Sequence, residues 1–454
     1  MAPTEAPNPQ PPAKKKRNSH SQEPVEGGGV DLISGLPDAI LGDIISLLPT
    51  KDGARTQGLA SRWRHLWCSA PLNLDRSDLP SDREALEGVV SRILAVHRGP
   101  GRRFCVPAGY LEDRPATVDS WLRSPALDNL EEIDFCLPPA SNFHFSATLR
   151  VATLSKCRIP DGFAESLHFS QLNQLGLKKV TISEGALHGL ISRCPVLEFL
   201  LLSDCTGICR ARINSSSLRG IGVRAVCYQD AGLRLSELII EDAPCLERLH
   251  YAEYFGITVS VIAAPKLQAL GCSISPWSVS RLLLGSTEFQ ELYVVSLTTV
   301  MRSVKILAVD SWFTELDMVI GLMKCFPCLE KLYIQTCRSV RQNLWRRKHK
   351  HFIQNYDIRI KTIVLGTYRG IKAQVNFASF FILNATELEV MRIELKDNDY
   401  NESFLVEHHR RLQMDKRASI GARLDFVKRG LCRNHLDINH VRDLALTDPF
   451  ECCC

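Results

Sequence analysis

Apolar spacing changes character twice along the 454-residue chain. Residues 1–29 are rich in Pro, Ser, Gly and Glu and have no apolar period, a composition that predicts a disordered tail. From Leu32 the chain reads differently. Ile40, Leu41, Ile44, Ile45, Leu47 and Leu48 recur at helical spacing between Pro37 and Pro49, which predicts an amphipathic helix. Its stripe is wider than a small helical unit buries by itself. A second helical stretch places Leu59, Trp63, Leu66 and Trp67 on one face and is closed by Pro71. A short helical module with surplus apolar surface predicts a partner.

From about residue 125 a different spacing takes over, L-x-x-L-x-L. It runs from Leu130/Ile133/Phe135 to Leu388/Met391/Ile393, and its clearest consecutive starts are Leu149, Leu172 and Leu197. Those starts lie 23 and 25 residues apart, within the period of leucine-rich repeats. Elsewhere the intervals are uneven, too short from Leu235 to Leu246 and long from Leu329 to Ile360, so some matches are expected to be apolar runs on the convex side. In each L-x-L the two apolar residues point into the core from one strand, and the residues between them face the concave surface. That alternation puts Glu132, Asp134, Gln174, Lys178, Leu201, Arg248, His250, Glu291, Tyr293, Lys331 and Tyr333 on the concave face. Among them Arg248, His250, Tyr293, Lys331 and Tyr333 are the expected substrate contacts, since Tyr and Arg are favoured at binding hot spots.

Composition narrows the function. The chain is 45% hydrophobic and 23% charged, which excludes wholesale disorder, and its net charge of +5 implies no global pull toward nucleic acid or membrane. No apolar run of 18 residues occurs, so no membrane span is expected, and the N-terminus lacks the form of a signal peptide. Seventeen cysteines scattered among apolar positions therefore read as reduced thiols in the cytoplasm or nucleus. Lys14, Lys15, Lys16 and Arg17 form a basic run that reads either as a nuclear import signal or as a solvated tail. Cys325-Phe326-Pro327-Cys328 lacks a second pair of ligands, so no metal is expected. Phosphate-binding glycine loops, a G-x-S-x-G elbow and H-E-x-x-H are all missing, and no cofactor or catalytic residue is expected. Trp345 to His351 is a basic cluster read as a solvated loop, and Cys452-Cys453-Cys454 follows Glu451, which excludes a prenylation box.

Leu36-Pro37-Asp38, the run Ile44 to Pro49, Thr50-Lys51-Asp52 and Ser61 to Trp67 resemble, in order and spacing, the plant F-box. The repeats resemble the irregular leucine-rich arrays that follow plant F-boxes. The segment Phe377 to Ala385, then Leu388-Glu389-Val390-Met391, Arg410-Arg411-Leu412-Gln413 and Arg417-Ala418-Ser419, looks like their FBD region. Gly53 and Gly58 depart from the F-box pattern, and a glycine inside a helix costs about 1 kcal/mol. The resemblance implies an α/β protein. Its parts would be a tail (1–29), a small all-α F-box (30–75), a linking helical or irregular segment (76–124), a curved leucine-rich-repeat solenoid with a parallel sheet on its concave face (125–370), an FBD-like region (371–425) and a C-terminal tail (426–454). It further implies a non-catalytic substrate receptor of an SCF-type ubiquitin ligase. The F-box would dock on a Skp-type adaptor, and through it on a cullin and a RING subunit. Leu36, Pro37, Ile40, Ile44, Leu47, Leu48, Trp63, Leu66 and Trp67 are the residues carried over for that contact, some of which must form the module's own core. The repeats would hold an unknown protein substrate. A non-degradative repeat scaffold and a ligand-dependent receptor of the same architecture stay open as alternatives.

Overall fold

A computed structural model describes residues 32–33, 35–106, 114–135, 144–225, 233–275, 279–311, 315–336, 356–396, 400–428 and 436–451. The helical module consists of α1 (Asp38–Leu47), α2 (Thr50–Arg55) and α3 (Trp63–Ser69). Pro37 stands just ahead of α1 and Pro49 just ahead of α2, so each proline starts a helix where its missing N–H costs nothing. Asp38, the first residue of α1, carries favourable charge at the helix N-terminus and pairs with Arg62 at 2.6 Å. Leu41 and Ile45 pack with Trp63, Leu66, Trp67 and Ala70 into a small core. A Cβ on Gly53 would meet the Trp67 indole at 3.3 Å, so this glycine serves the close approach of α2 to α3. Gly58 ends a 3-10 turn, Thr56–Gly58, and a Cβ there meets nothing within 4 Å. Gly58→Ala is expected to stabilise the module by about 0.4–1 kcal/mol, read as slower hydrogen exchange in α3.

The module is clamped to the solenoid. The backbone N–H groups of Arg98 and Gly99 donate to the Cys68 carbonyl at 2.8 and 3.0 Å. Thr50 donates its hydroxyl to the Asn73 carbonyl at 2.6 Å, and its N–H to Asp78 at 2.8 Å. Ile93, on a helix spanning Arg83–Val96, packs against both the small core and the large one.

The large core belongs to a 14-stranded sheet in which every pair of neighbours runs parallel. The L-x-x-L-x-L spacing is the cause of its register. Ile133, Ala152, Leu175, Leu200, Ile221, Leu249, Leu270, Leu307, Leu332, Ile363 and Met391 stand opposite one another, strand to strand, as one buried column. Parallel stacking of this kind buries a continuous apolar seam that no single repeat could bury. Lys156, Lys179 and Asp204, each just past a strand, share a left-handed backbone (φ 51°, 52° and 52°) at the repeat spacing read from the sequence. Leu332 is fully buried in the seam, and Leu332→Ala is expected to cost about 2–5 kcal/mol, measured by denaturant unfolding.

Not every sequence match belongs to this sheet. Glu237–Asp242, which contains Leu238 and Ile240, lies in a six-stranded sheet on the opposite side of the core, together with Arg210–Asn214, Thr258–Val261 and Arg281–Leu284. Thr287–Gln290 and Tyr293–Ser296 extend that outer sheet antiparallel, so the Phe289/Leu292/Val294 match is also convex. The inner sheet extends past the expected repeat limits at both ends. Leu72–Leu74 and Gly101–Val106 are its first strands, so residues 76–124 are part of the solenoid and not a linker alone. At the other end Val390–Leu395 and Arg423–Lys428 add two strands, with a buried helix, Lys372–Asn384, between this part and the repeats, so the FBD-like segment continues the same sheet.

The expected C-terminal tail is a correction. Residues 436–451 fold back across the inner face of the sheet. Leu436, Ile438, Val441, Leu444 and Phe450 are buried there, and that apolar spacing is neither helical nor alternating, which is why it reads as an ordinary polar tail. Among the described residues no helix is long and apolar enough to cross a membrane.

Candidate adaptor face and inner groove

The nine F-box residues separate into two sets. Trp63, Leu66 and Trp67 are buried in the module's own core and Leu36 packs partly against it, so these four hold the module together and are not an outward contact face. Pro37, Ile40, Ile44, Leu47 and Leu48 point outward, Leu47 with 79% of its surface exposed. The split follows from helical geometry. Positions 41 and 45 are one turn apart on the core side of α1, while 40, 44, 47 and 48 fall on the adjacent stripe. Leu59, expected beside Trp63, is also exposed, because the 3-10 turn before α3 takes it off that helix face.

Most of the residues that alternation assigns to the inner face lie on it. Asp134, Thr153, Gly176, Leu201, Gly222, His250, Gly271, Ala308, Tyr333 and Val364 are neighbours in one row across the sheet. Glu132, Val151, Gln174, Phe199, Gly220, Arg248, Ala269, Ile306 and Lys331 form the row beside it. Tyr293 and Glu291 are not in these rows. Tyr293 is half-exposed on the outer sheet, because alternation within a strand does not say which sheet that strand joins.

The rows are not free to solvent, because the strap Leu436–Glu451 lies on them. Ile438, Val441 and Leu444 pack on Val151, Phe199 and Leu201. Leu436 and Phe450 pack on Ala269, Ala308, Tyr333 and Val364. Polar contacts fasten both ends. Arg442 pairs with Glu132, and His440 Nε2 lies 3.2 Å from the Thr153 hydroxyl and 3.8 Å from Asp134. Asp448 accepts from Lys331 at 2.8 Å and from the Tyr333 hydroxyl at 2.9 Å. Arg248 is half-buried and lies over the Phe199 ring at 5.9 Å. His250 is buried edge-to-face against Phe450, with ring centroids 5.5 Å apart.

Burial sets the protonation of this groove. His250 is pushed down to about 3, and His440 to about 4 in spite of Asp134 beside it, so both imidazoles are neutral under the strap. The Tyr333 phenol is pushed up, first by burial and then by Asp448. Burial holds the Glu132 carboxyl above the usual carboxylate range although Arg442 and Arg103 pull it the other way.

A cleft between the α1–α2 turn and the first inner strands is lined by Arg102, Arg103, Arg150 and Arg442 together with Asp75, Asp78, Glu131 and Glu132. Arg103 pairs with Asp75 at 2.8 Å and with Glu132 at 3.3 Å, Arg442 pairs with Glu132, and Arg102 donates to the Ser46 hydroxyl at 3.2 Å. Cys105, Cys194, Cys205 and Cys272 are buried thiols pushed up to about 12, as core residues would be. Cys325 ends the helix Leu316–Cys325, and Cys328 lies in the turn before the strand Lys331–Thr336. Among the described residues no group of three or more His, Cys, Asp or Glu could hold a metal. The basic run Lys14 to Arg17, the cluster Trp345 to His351 and Cys452 to Cys454 lie outside the described residues.

Comparison with known proteins agrees with this architecture. A family model for the LRR repeats of the FBD-associated F-box protein At5g56370 matches residues 118–334. The F-box/FBD/LRR-repeat protein At1g13570 of Arabidopsis thaliana is 29% identical over 197 residues, 39% of this chain and 45% of that protein. The putative F-box/LRR-repeat protein At3g58880 of the same plant is 30% identical over 246 residues, 50% of this chain and 53% of that one. The F-box/LRR-repeat protein At4g14103, also from Arabidopsis thaliana, is 31% identical over 194 residues, 39% of this chain and 50% of the relative. The chain spans about half the length of the curated relatives it matches.

Proposed function

The chain is a relative of the plant F-box/leucine-rich-repeat proteins of the FBD type, and from that premise we propose that it is the substrate-recognition subunit of an SCF-type ubiquitin ligase. The F-box module docks on a Skp-type adaptor, which joins it to a cullin and a RING subunit, and the solenoid holds a protein substrate. One observation carries this reading. The helical module leaves Ile40, Ile44, Leu47 and Leu48 in the open, on a unit that is hydrogen-bonded to the solenoid. An apolar stripe of this kind on a small module is what a partner covers. That junction matters for the reaction. A receptor of this sort contributes no catalytic group and works by holding its substrate at a set distance from the conjugating enzyme.

Co-purification of the full chain with a plant Skp-type adaptor and cullin tests the reading. A stoichiometric complex is the expected result, and a folded chain that fails to enter it sinks the proposal and leaves a repeat scaffold.

A further inference from the structure

The strap shows what chemistry the inner groove accepts. Its bed alternates large side chains, Phe199, Leu201 and Tyr333, with positions that have little or no side chain. A Cβ on Gly222 would come to 3.1 and 3.2 Å from Ile438 and Leu444, and one on Gly271 to 2.6 Å from the Phe450 ring. Ala269 and Ala308 complete the furrow. Opposite charges stand at its two ends, Glu132 and Asp134 at one, Lys331 with the Tyr333 hydroxyl at the other. The strap answers both with Arg442 and Asp448.

In one place the strap fits poorly. His250 is only 3% exposed, and neither ring nitrogen has a hydrogen-bond partner among the described residues, because the Phe450 ring sits over it. A buried polar group left unmatched is costly, and the cost is recovered by whatever supplies the missing partner. The groove is therefore better suited to a segment that offers a hydrogen-bonding group where the strap offers a phenyl ring.

We propose that the inner groove docks an extended segment of a partner protein, and that the strap is its resident, displaceable occupant. The segment carries a cation and a carboxylate at the spacing of Arg442 and Asp448, apolar residues between them, and a polar group against His250. The inference rests on the reading of the solenoid as a substrate holder and names the class of substrate. In the free chain the strap covers the site, and the partner segment gains entry by out-competing it.

The test uses the full chain, a labelled synthetic peptide of residues 436–451, and fluorescence anisotropy. A chain whose strap is loosened by Leu444→Ala with Phe450→Ala is expected to bind the peptide about ten-fold or more tighter than wild type. The same peptide carrying Asp448→Asn is expected to bind about ten-fold more weakly. Equal affinity for the two chains, or no binding by the loosened chain, overturns the proposal. Asp448→Asn in the chain itself keeps the volume of the strap, and it gives the same reading should the double variant not fold. His250→Leu in the intact chain is expected to slow hydrogen exchange of the strap, whereas slower exchange would not result if His250 were merely well packed. Capture by the Skp-type adaptor is measured on the same preparations. Peptide binding without adaptor capture rejects the ligase reading and leaves the groove, and capture without peptide binding does the reverse.

Discussion

Replacing Ile44 and Leu47 together by aspartate abolishes capture of the chain by a Skp-type adaptor while the helical module stays folded. Both side chains lie on the exposed stripe of α1 and neither contributes to the core of Leu41, Ile45, Trp63, Leu66 and Trp67. Full burial of each in an interface is worth about 1.5–3 kcal/mol, and a carboxylate in its place must be desolvated without a partner. The double variant therefore loses on the order of 5 kcal/mol of binding, more than a thousand-fold in affinity. Trp67→Ala loses capture too, for a different reason. It removes a large core side chain and costs the module about 3–5 kcal/mol, so the helices themselves melt. Helical content by circular dichroism separates the two, unchanged in the aspartate variant and reduced in Trp67→Ala. Undiminished capture of the aspartate variant would place the adaptor contact elsewhere.

The contrast between those two variants also marks where sequence reasoning ends. The width of the stripe on α1 is legible, because Ile40, Leu41, Ile44 and Ile45 cover two faces of one helix. Which face turns inward depends on α3, and only packing decides that. The L-x-x-L-x-L column is legible for the same reason that it works. Ile133 to Met391 must all face one core, and a slip of one residue would turn a whole strand outward. A strand's alternation, however, says nothing of which sheet it joins, and so it puts Tyr293 on the wrong surface. The first strand is only three residues long, and Gly101–Val106 is charged at Arg102 and Arg103, so neither shows the repeat spacing. The strap is the least legible part. Its partners Glu132, Thr153, Lys331 and Tyr333 lie far earlier in the chain, and Leu436, Ile438, Val441 and Leu444 track the shape of the furrow and no period of their own.

The strap's hold on the groove weakens as pH falls from 7 to 5. In the docked strap His440 accepts from the Arg442 N–H at 3.1 Å through Nδ1, which caps the 3-10 turn Val441–Ala445, and only the neutral imidazole accepts there. The groups facing it are Asp134 and Lys178 from the inner strands and Arg442 and Asp443 from the strap itself. Burial, the largest effect, keeps its docked value near 4, while a released His440 returns to about 6.5. A folded value below the free one means that docking is at full strength above 6.5 and is lost as pH drops toward 4. At pH 5 the loss is on the order of 2 kcal/mol, about a thirty-fold shift toward the released strap. His250, pushed down to about 3 by burial alone, acts in the same sense once the strap leaves it. Glu132 acts in the opposite sense, since its raised carboxyl favours the docked state in acid and offsets part of the histidine effect. Hydrogen exchange of residues 436–451, corrected for intrinsic rates and referred to the inner strands, reads the effect directly. His440→Asn keeps a capping side chain without a titrating one, and it is expected to remove most of the slope between pH 7 and 5, leaving the part due to His250. A strap equally protected at both pH values in the wild-type chain would mean that the imidazoles are not what holds it in place.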